Sequence, residues 1–517
     1  MSDILDDAPA DQVDRGVLGT DGPSAAQHGD DAPYPALDES GSWAPSRWGQ
    51  VAVVSALLVA TTAVSVVYWP GQIDPDTVDE LREAATGKYA DWHSPLVSAL
   101  WRIPYLLGFH SSGWVLAVAV FSLLVGLYLI VRIRFGRALS TVVAIICLAY
   151  PPVLSWTIHV GRDAWFIAGL VGAMGFAARA ARMGRPSWRV NLPLSLVLAL
   201  VCSASRQNGI LVVCIVFATW AALLIPATSS HRRPAIAGTA VLASVLVLGI
   251  QMLIQRELGT LATHPEQALY EYDLAQLSQQ EGVDLFPASV RIAHRNTMAA
   301  IRQVQTGTYD TFVWGRRAVI KPFLDASNVD RLRRAWEHAV LHDPGGYVRE
   351  RSALLGAELS ITRPSAWVFE PPWANKLPPV SPTLEHAGEE YLQAFAVDGN
   401  SAHGGPLYTV WVYVLILAAA VPVLVRRRTR PDWVAAALCG ALFVEVGTLF
   451  FFSPDLLYRF AYPLVVGGVV MVPVLVPRRP SRRTGPDRRT GVVATLDNGA
   501  GTSVAPASKR HRHSVRA

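Results

Sequence analysis

The chain has 517 residues, of which 51% are hydrophobic and only 16% are charged, and its net charge is +5. Soluble domains carry roughly 25% charged residues, so this composition excludes an ordinary soluble globular protein. The arginines gather in short loops and in the C-terminal tail, a distribution typical of membrane topology and not of nucleic-acid binding.

Apolar runs that are long enough to cross a bilayer as helices recur along the chain. They predict an all-α, polytopic transmembrane protein with about ten spans and a mostly helical extracytoplasmic cap. The predicted spans are residues 50–69, 113–131, 138–156, 163–180, 190–205, 209–227, 235–254, 406–425, 433–452 and 459–476.

This pattern divides the chain into five regions. Residues 1–48 and 477–517 are polar tails without a periodic apolar face, and we expect both to be disordered. Residues 49–254 form a first transmembrane module. Residues 255–405 are too long for a simple connection, so we expect them to form the cap. Residues 406–476 supply the last transmembrane helices.

The charges of the loops predict the orientation. With the N-terminus inside, most arginines of the membrane domain fall on the cytoplasmic side, in loops 132–137, 179–189, 229–234 and 426–430. This distribution follows the positive-inside rule, so we expect a multi-pass protein of the cell membrane with both termini in the cytoplasm. The first outer loop and the cap then share the extracytoplasmic side.

The first outer loop, residues 70–112, opens with a dense group of carboxylates directly after the first span. Helical spacing runs over residues 76–85. Asp74 or Asp76 suits the N-terminus of that helix, and Gly87 suits its end. An acid-rich segment at the mouth of a membrane helix must face water or a polar cavity.

Short helices are also predicted outside the spans. Residues 95–107 are apolar, but the segment is too short to cross a bilayer, which favours an interfacial helix over a span. A proline-rich run from Pro371 to Pro382 favours an irregular loop. In the cap, helical spacing recurs near residues 264–279, 288–304 and 343–359.

Carboxylates and a histidine cluster in the first outer loop. Asp74, Asp76 and Asp79 stand close together, and Asp91 and His93 follow. Neighbouring carboxylates at a membrane surface can bind a divalent cation or act as a general base. The alternative is a solvated, acid-rich helix start.

Three arginines at the predicted outer ends of spans are exceptions to the positive-inside rule. Arg162, Arg206 and Arg459 all lie there, and each suits an anionic partner such as a phosphate. Asp163 suits a cation or a sugar hydroxyl; the alternative is that these charges only mark helix ends. Glu445 lies inside a span, where an acid is functional or paired.

Short motifs carrying these residues resemble the GT-C superfamily of integral-membrane glycosyltransferases. The family has many spans, an acid in the first outer loop, a large extracytoplasmic segment and polyprenyl-phosphate sugars as donors. The resemblance covers most of residues 50–476. The motifs are Asp74-Pro75-Asp76, Asp91-Trp92-His93-Ser94-Pro95-Leu96, Gly161-Arg162-Asp163, Arg206-Gln207-Asn208-Gly209, Tyr458-Arg459-Phe460-Ala461-Tyr462-Pro463, and Asp343-Pro344 with Tyr347, Arg349 and Arg351.

The resemblance implies an inverting transfer of a sugar from a polyprenyl-phosphate donor to a cell-envelope glycan, lipid or protein outside the membrane. Asp76 matches the family's base, although Thr77 follows it where the commonest pattern has Glu. Asp74 is the rival for this role, and His93 would assist.

The remaining residues would bind the substrate. Asp163 matches the family's second outer-loop acid. The lipid phosphate would be bound by Arg206 and Arg459, and Arg162 and Asp91 complete the expected binding set. Some members bind Mg²⁺ or Mn²⁺, which Asp76 and Asp163 would hold here; no nucleotide cofactor is implied.

Two other classes of function fit parts of the sequence. A transporter or flippase of a lipid-linked or anionic substrate would explain the outward arginines, and a membrane-anchored assembly protein would explain the long cap. Transporters often show inverted repeats and broken helices near the midplane. The chain shows no convincing internal repeat, and its charged residues gather at one surface, which favours surface chemistry.

Overall fold

Helices account for almost all the regular structure of the described residues. The computed structural model describes residues 47–303, 313, 318–322, 324–365, 368, 379–396 and 403–477. These ranges hold 18 α-helices and no β-strand, which confirms the predicted all-α class. The predicted disorder of the two tails falls outside the described residues, apart from the inner edge of each tail.

The helices, numbered in chain order, have the following bounds. The first outer loop and the helices around it comprise α1 (Arg47–Tyr68), α2 (Pro75–Thr86), α3 (Pro95–Leu106) and α4 (Gly113–Val131). The bundle continues with α5 (Arg137–Ala149), α6 (Pro151–Thr157), α7 (Arg162–Met183), α8 (Trp188–Ser205), α9 (Gly209–Leu224) and α10 (Arg232–Glu257). The cap and the last helices are α11 (Gln267–Glu281), α12 (Thr297–Gln303), α13 (Ala326–His342), α14 (Pro344–Glu358), α15 (Pro382–Gln393), α16 (Val410–Arg427), α17 (Arg430–Phe452) and α18 (Tyr458–Leu475).

The chain divides into two units, residues 1–52 and residues 53–517. The boundary falls within α1. Of the first unit, the structure describes only the opening residues of this helix. All contacts reported below lie within the second unit.

Eight helices among the described residues are long and apolar enough to cross a membrane. They are α1, α4, α7, α8 with the short turn before it, α10, α16, α17 and α18. Helices α5 and α6 form a ninth segment that bends by 74°. Pro151 and Pro152 open α6, and proline lacks the N–H that a continuous helix needs, so the predicted span 138–156 is broken.

Helix α9 is shorter than the span predicted over residues 209–227. Its 16 residues end at Leu224 because Ile225, in extended conformation, precedes Pro226. At its start, Asn208 donates to Glu445 near the end of α17. Its other end lines a cavity together with Trp433, near the start of α17. Helix α9 therefore crosses the same layer as α17.

Helix α7 lies at the centre of the bundle and is buried along most of its length. Glycines on this helix allow close packing with its neighbours. A Cβ at Gly169 would lie 2.7 Å from the carbonyl oxygen of Leu198 on α8, and one at Gly126 on α4 would lie 2.7 Å from the backbone nitrogen of Gly172. Small residues at such contacts are typical of membrane helix packing.

The helix predicted in the first outer loop is confirmed as α2, with both predicted ends. The Asp74 Oδ1 accepts from the backbone N–H of Thr77 at 2.6 Å, and Gly87 adopts the left-handed conformation with φ of 71°. Helix α3 has only 12 residues, as expected of a helix too short to span.

The described part of the cap is helical and has its own hydrophobic core, built around Leu274, Ile320 and Leu332. The helices predicted near residues 264–279 and 343–359 correspond to α11 and α14, whereas only the last part of the helix predicted near residues 288–304 is α-helical, as α12. Helices α13 and α15 were not predicted. Pro382 does not belong to an irregular loop: it is the first residue of α15, where its missing N–H costs no hydrogen bond, and Ser381 caps that helix.

The predicted orientation can be tested with Ala299→Cys, in the cap, and Ser230→Cys, between α9 and α10. Both positions are exposed, whereas three of the four native cysteines are buried and Cys214 is half-buried. An impermeant maleimide should label Cys at 299 in intact cells and Cys at 230 only after permeabilisation. The opposite pattern would contradict the orientation.

Candidate functional site

Two chain segments meet at one end of the bundle because short backbone hydrogen bonds join them. The segment after α1 pairs with the segment before α7: the N–H of Gln72 donates to Ile158 at 3.1 Å, and that of Val160 donates to Gln72 at 2.8 Å. Gly71 allows this approach, because its φ is +95° and a Cβ there would lie 2.2 Å from Val160 Cγ2. The start of α2 is thereby held beside the start of α7.

Five charged or titratable residues form what we call the surface cluster: Asp74, Asp76, His93, Arg162 and Arg459. Arg459 Nη1 donates to Asp74 Oδ2 and to Asp76 Oδ2, both at 2.9 Å. Arg162 contacts Asp76 Oδ2 through Nη2 and His93 Nδ1 through Nη1, each at 3.2 Å. The structure therefore brings together five of the residues that the sequence had singled out.

The two aspartates of the surface cluster have different surroundings. Asp74 has a side chain only 6% exposed, and its two oxygens are engaged by the N–H of Thr77 and by Arg459. Asp76 is 26% exposed, and both of its arginine contacts fall on Oδ2. No described residue donates a hydrogen bond to Asp76 Oδ1. Asp76 is therefore the carboxylate with an oxygen available to a ligand.

Electrostatics fix the protonation states within the surface cluster. Burial acts to raise the pKa of Asp76, but the charges of Arg459 and Arg162 outweigh it, so this pKa lies well below its ordinary value. Burial, reinforced by the charge of Arg162, lowers the pKa of His93 to about 4. At neutral pH the cluster thus holds an ionised Asp76 and a neutral imidazole that can accept from Arg162.

A second group, which we call the buried triad, consists of Asp163, Arg206 and Glu445. Arg206 Nε donates to Asp163 Oδ1 at 2.6 Å, and its Nη1 donates to Glu445 Oε1 at 2.5 Å. Their side chains are at most 8% exposed. Asn208 and Thr448 complete the hydrogen bonds of Glu445. The partner of Glu445, unknown from the sequence, is Arg206.

The buried triad supports the surface cluster through the backbone of α18. Arg206 Nη2 donates to the carbonyl oxygen of Arg459 at 3.3 Å, and its guanidinium lies 5.5 Å from the centre of the Phe460 ring. Because Arg206 is only 7% exposed, its predicted contact with a lipid phosphate stays a prediction. In the structure Arg206 fixes the start of α18, which carries Arg459.

Asp91 lies apart from the surface cluster contacts. Its Oδ1 accepts from the backbone N–H and the hydroxyl of Thr263 at 2.5 and 2.6 Å, which fastens the first outer loop to the segment after α10. Its role in substrate binding stays a prediction.

The two carboxylates predicted to hold a divalent cation, Asp76 and Asp163, are both held by arginines, and the binding of a cation stays a prediction. No group of three or more His, Cys, Asp or Glu with the geometry to hold a metal ion occurs among the described residues. The guanidinium groups of Arg162, Arg206 and Arg459 supply positive charge next to these carboxylates.

Two buried residues beside the surface cluster, Glu80 and His159, were not predicted from the sequence. Glu80 is fully buried, and neither of its carboxyl oxygens has a hydrogen-bond partner among the described residues. Burial, aided by the nearby Asp74 and Asp76, raises its pKa well above the ordinary value. His159 stacks on Trp156, and its Nε2 lies 4.0 Å from Asp74 Oδ2. Glu80 follows Asp76 by four residues, a spacing that places both on one helix face.

The comparisons with known proteins give no relative. No protein-family model matches the chain, and no curated protein and no solved structure matches it. What the fold and the site define is therefore a class: an all-α, polytopic membrane protein with charged residues clustered at one end of its helices.

Removing the guanidinium from the buried triad should destabilise the fold. Arg206→Ala leaves two buried carboxylates without their counterion, and breaking such a pair typically costs about 3–5 kcal/mol. Thermal unfolding of the detergent-solubilised protein, followed by tryptophan fluorescence, measures the loss. The control is Arg82→Ala, which breaks an exposed pair with Asp79 and should cost less than about 1 kcal/mol. Equal losses for the two variants would contradict the role of the triad.

Acidification should weaken the fold through His93. Its pKa is about 4 when folded and 6.5 when unperturbed, so the unfolded chain binds the proton first. The stability that neutral His93 contributes is present above pH 6.5 and is lost as the pH falls towards 4. His93→Gln should therefore lose less thermal stability than the wild type between pH 7 and pH 5. Exposed His386→Gln is the control, and a wild-type-like response of His93→Gln would refute this assignment.

Proposed function

We propose that the chain is a membrane glycosyltransferase of the GT-C type. It transfers a sugar from a polyprenyl-phosphate donor to a cell-envelope acceptor on the extracytoplasmic side of the cell membrane. One observation carries the proposal: a partly exposed, ionised carboxylate with a free oxygen, Asp76, lies beside two arginines at the outer end of the bundle. A base next to a phosphate-binding charge is what this transfer needs.

In the proposed reaction, the carboxylate of Asp76 and the arginines of the surface cluster have different roles. Asp76 Oδ1 takes the proton of the acceptor hydroxyl as the hydroxyl oxygen attacks the anomeric carbon. The bond between that carbon and the phosphate oxygen breaks, and the lipid phosphate leaves with the electron pair. Arg162 and Arg459 stabilise its negative charge. The configuration at the anomeric carbon inverts, because the attack comes from the side opposite to the phosphate.

Asp76 is preferred over Asp74 as the base because of how each carboxylate is engaged. The oxygens of Asp74 cap α2 and bind Arg459, so Asp74 fixes the geometry of the cluster. The low pKa of Asp76 keeps it ionised but makes it a weak base, so the proton is transferred late in the reaction. His93 positions Arg162 by accepting from its Nη1 at 3.2 Å.

A second candidate function rests on the buried triad. An arginine paired with two acids between spanning helices is also typical of transporters, in which charged residues mark a substrate path. A flippase of a lipid-linked substrate would use the same arginines to hold the phosphate. It would not need the free oxygen of Asp76, and this difference separates the two proposals.

Asp76→Asn should abolish sugar transfer, because the amide cannot accept the proton of the acceptor. The assay follows radiolabelled sugar from decaprenyl-phosphate donors into an envelope fraction, with the purified protein in proteoliposomes. Asp79→Asn is the matched control: Asp79 lies on the same helix, is 54% exposed and, among the described residues, pairs only with Arg82. It should keep wild-type activity.

The outcomes discriminate between the proposals. Full transfer by Asp76→Asn would remove Asp76 as the base. If the wild type transfers no sugar but moves the labelled lipid across the bilayer, and Asp76→Asn does so equally well, the flippase is the function instead.

A further inference from the structure

A cavity of about 350 Å³ lies at the end of the bundle opposite to the surface cluster. It is bounded by the starts of α8, α10 and α17 and by the end of α9, where Leu224 and Ile225 line it. Its volume falls within the range of about 300–1,000 Å³ that small-molecule sites occupy. The glycosyltransfer proposed above does not use it.

The charge of this cavity is positive throughout. Arg185, Arg232 and Arg430 line it, and no carboxylate does. Within the described part of the chain, none of these arginines forms an ion pair with an acid. Three unneutralised cations around one cavity favour an anionic ligand.

Two hydrogen-bond donors in the cavity wall are unsatisfied. The indole Nε1 of Trp188 and the Nε of Arg232 are both buried and have no hydrogen-bond partner among the described residues. Arg232 is held in place through its Nη2, which donates to the carbonyl oxygen of Ala222 at 3.0 Å. A buried donor without an acceptor is costly, so both groups point to a ligand that supplies oxygen atoms.

Most of the remaining lining residues are apolar, and some of them reach the surface of the bundle. Ile215, Ala218 and Ala437 are half-buried, and Trp433 is 51% exposed. Tryptophan prefers the membrane interface, because its ring is apolar and its N–H is polar. The cavity therefore combines a cationic mouth with an apolar wall that is open to lipid.

We propose that this cavity binds an anionic phospholipid. The phosphate of the headgroup contacts the three arginines and accepts from the two unsatisfied donors, and the upper part of one acyl chain packs along α9 and α17. Basic pockets between membrane helices are suited to such headgroups. Free inorganic phosphate offers the same charge but leaves the apolar wall uncovered.

Native mass spectrometry of the delipidated protein titrated with phosphatidylglycerol, cardiolipin or phosphatidylcholine tests the proposal. The wild type should retain the two anionic lipids and release phosphatidylcholine. The triple variant Arg185→Ala/Arg232→Ala/Arg430→Ala should bind the anionic lipids at least about tenfold more weakly. Circular dichroism confirms that the variant is folded.

The matched control removes the same charge from neighbouring positions. Arg189, Arg233 and Arg426 are exposed on the same end of the bundle and do not line the cavity. Their triple alanine variant should bind anionic lipid within about twofold of the wild type. If both triple variants bind anionic lipid equally weakly, the lost affinity is an effect of general surface charge, and the proposed site is refuted.

Two further measurements keep the proposal falsifiable. Ala222→Phe fills the cavity without removing charge and should also weaken lipid binding; unchanged binding would place the lipid elsewhere. Inorganic phosphate should raise the thermal unfolding temperature less than phosphatidylglycerol does at the same phosphate concentration. An equal rise would identify a simple anion site and refute the phospholipid.

Discussion

The interaction on which the site depends is the contact of one guanidinium with two carboxylates. Arg459, at the start of the last helix, lies 2.9 Å from both Asp74 and Asp76, at the start of the second. Negative charges on neighbouring carboxylates repel each other, and the shared arginine opposes that repulsion. It also joins residues separated by 385 positions in the chain, so the last helix contributes directly to the geometry of the first outer loop.

The position of Arg459 is in turn fixed by contacts from the bundle and from the cap. Within the bundle, Arg206 donates to the backbone oxygen of Arg459 and is paired with Asp163 and Glu445. From the cap, Arg351 forms an ion pair with Asp273 at 2.6 Å and donates to the carbonyl oxygen of Ser453 at 2.5 Å. Ser453 lies in the short connection before α18. Charges buried in this way are tolerated because each has a counterion and hydrogen bonds.

The helices could be predicted from local features of the sequence, because capping residues and the length of an apolar run act within one segment. The ends of α2 at Asp74 and Gly87 are examples. The buried face of α2 could not be predicted from apolar spacing, because this helix buries Thr77 and Glu80 and exposes Val78 at 41%. Arginines distant in the chain, Arg162 and Arg459, contact the start of this helix, and apolar spacing carries no signal of them. Likewise, Glu445 was recognised as an acid that needs a partner, but only the packing of α9 against α17 reveals Arg206.

The burial of Arg351 bears on how the protein unfolds. This side chain is 1% exposed, and Glu358 on the same helix also reaches Ser453 through a hydrogen bond. Detaching the cap would break the hydrogen bonds that Arg351 and Glu358 form with Ser453, while the ion pair between Arg351 and Asp273 would stay within the cap. A buried carbonyl and a buried hydroxyl that lose their partners destabilise the detached state, so the cap and the connection before α18 are expected to unfold together.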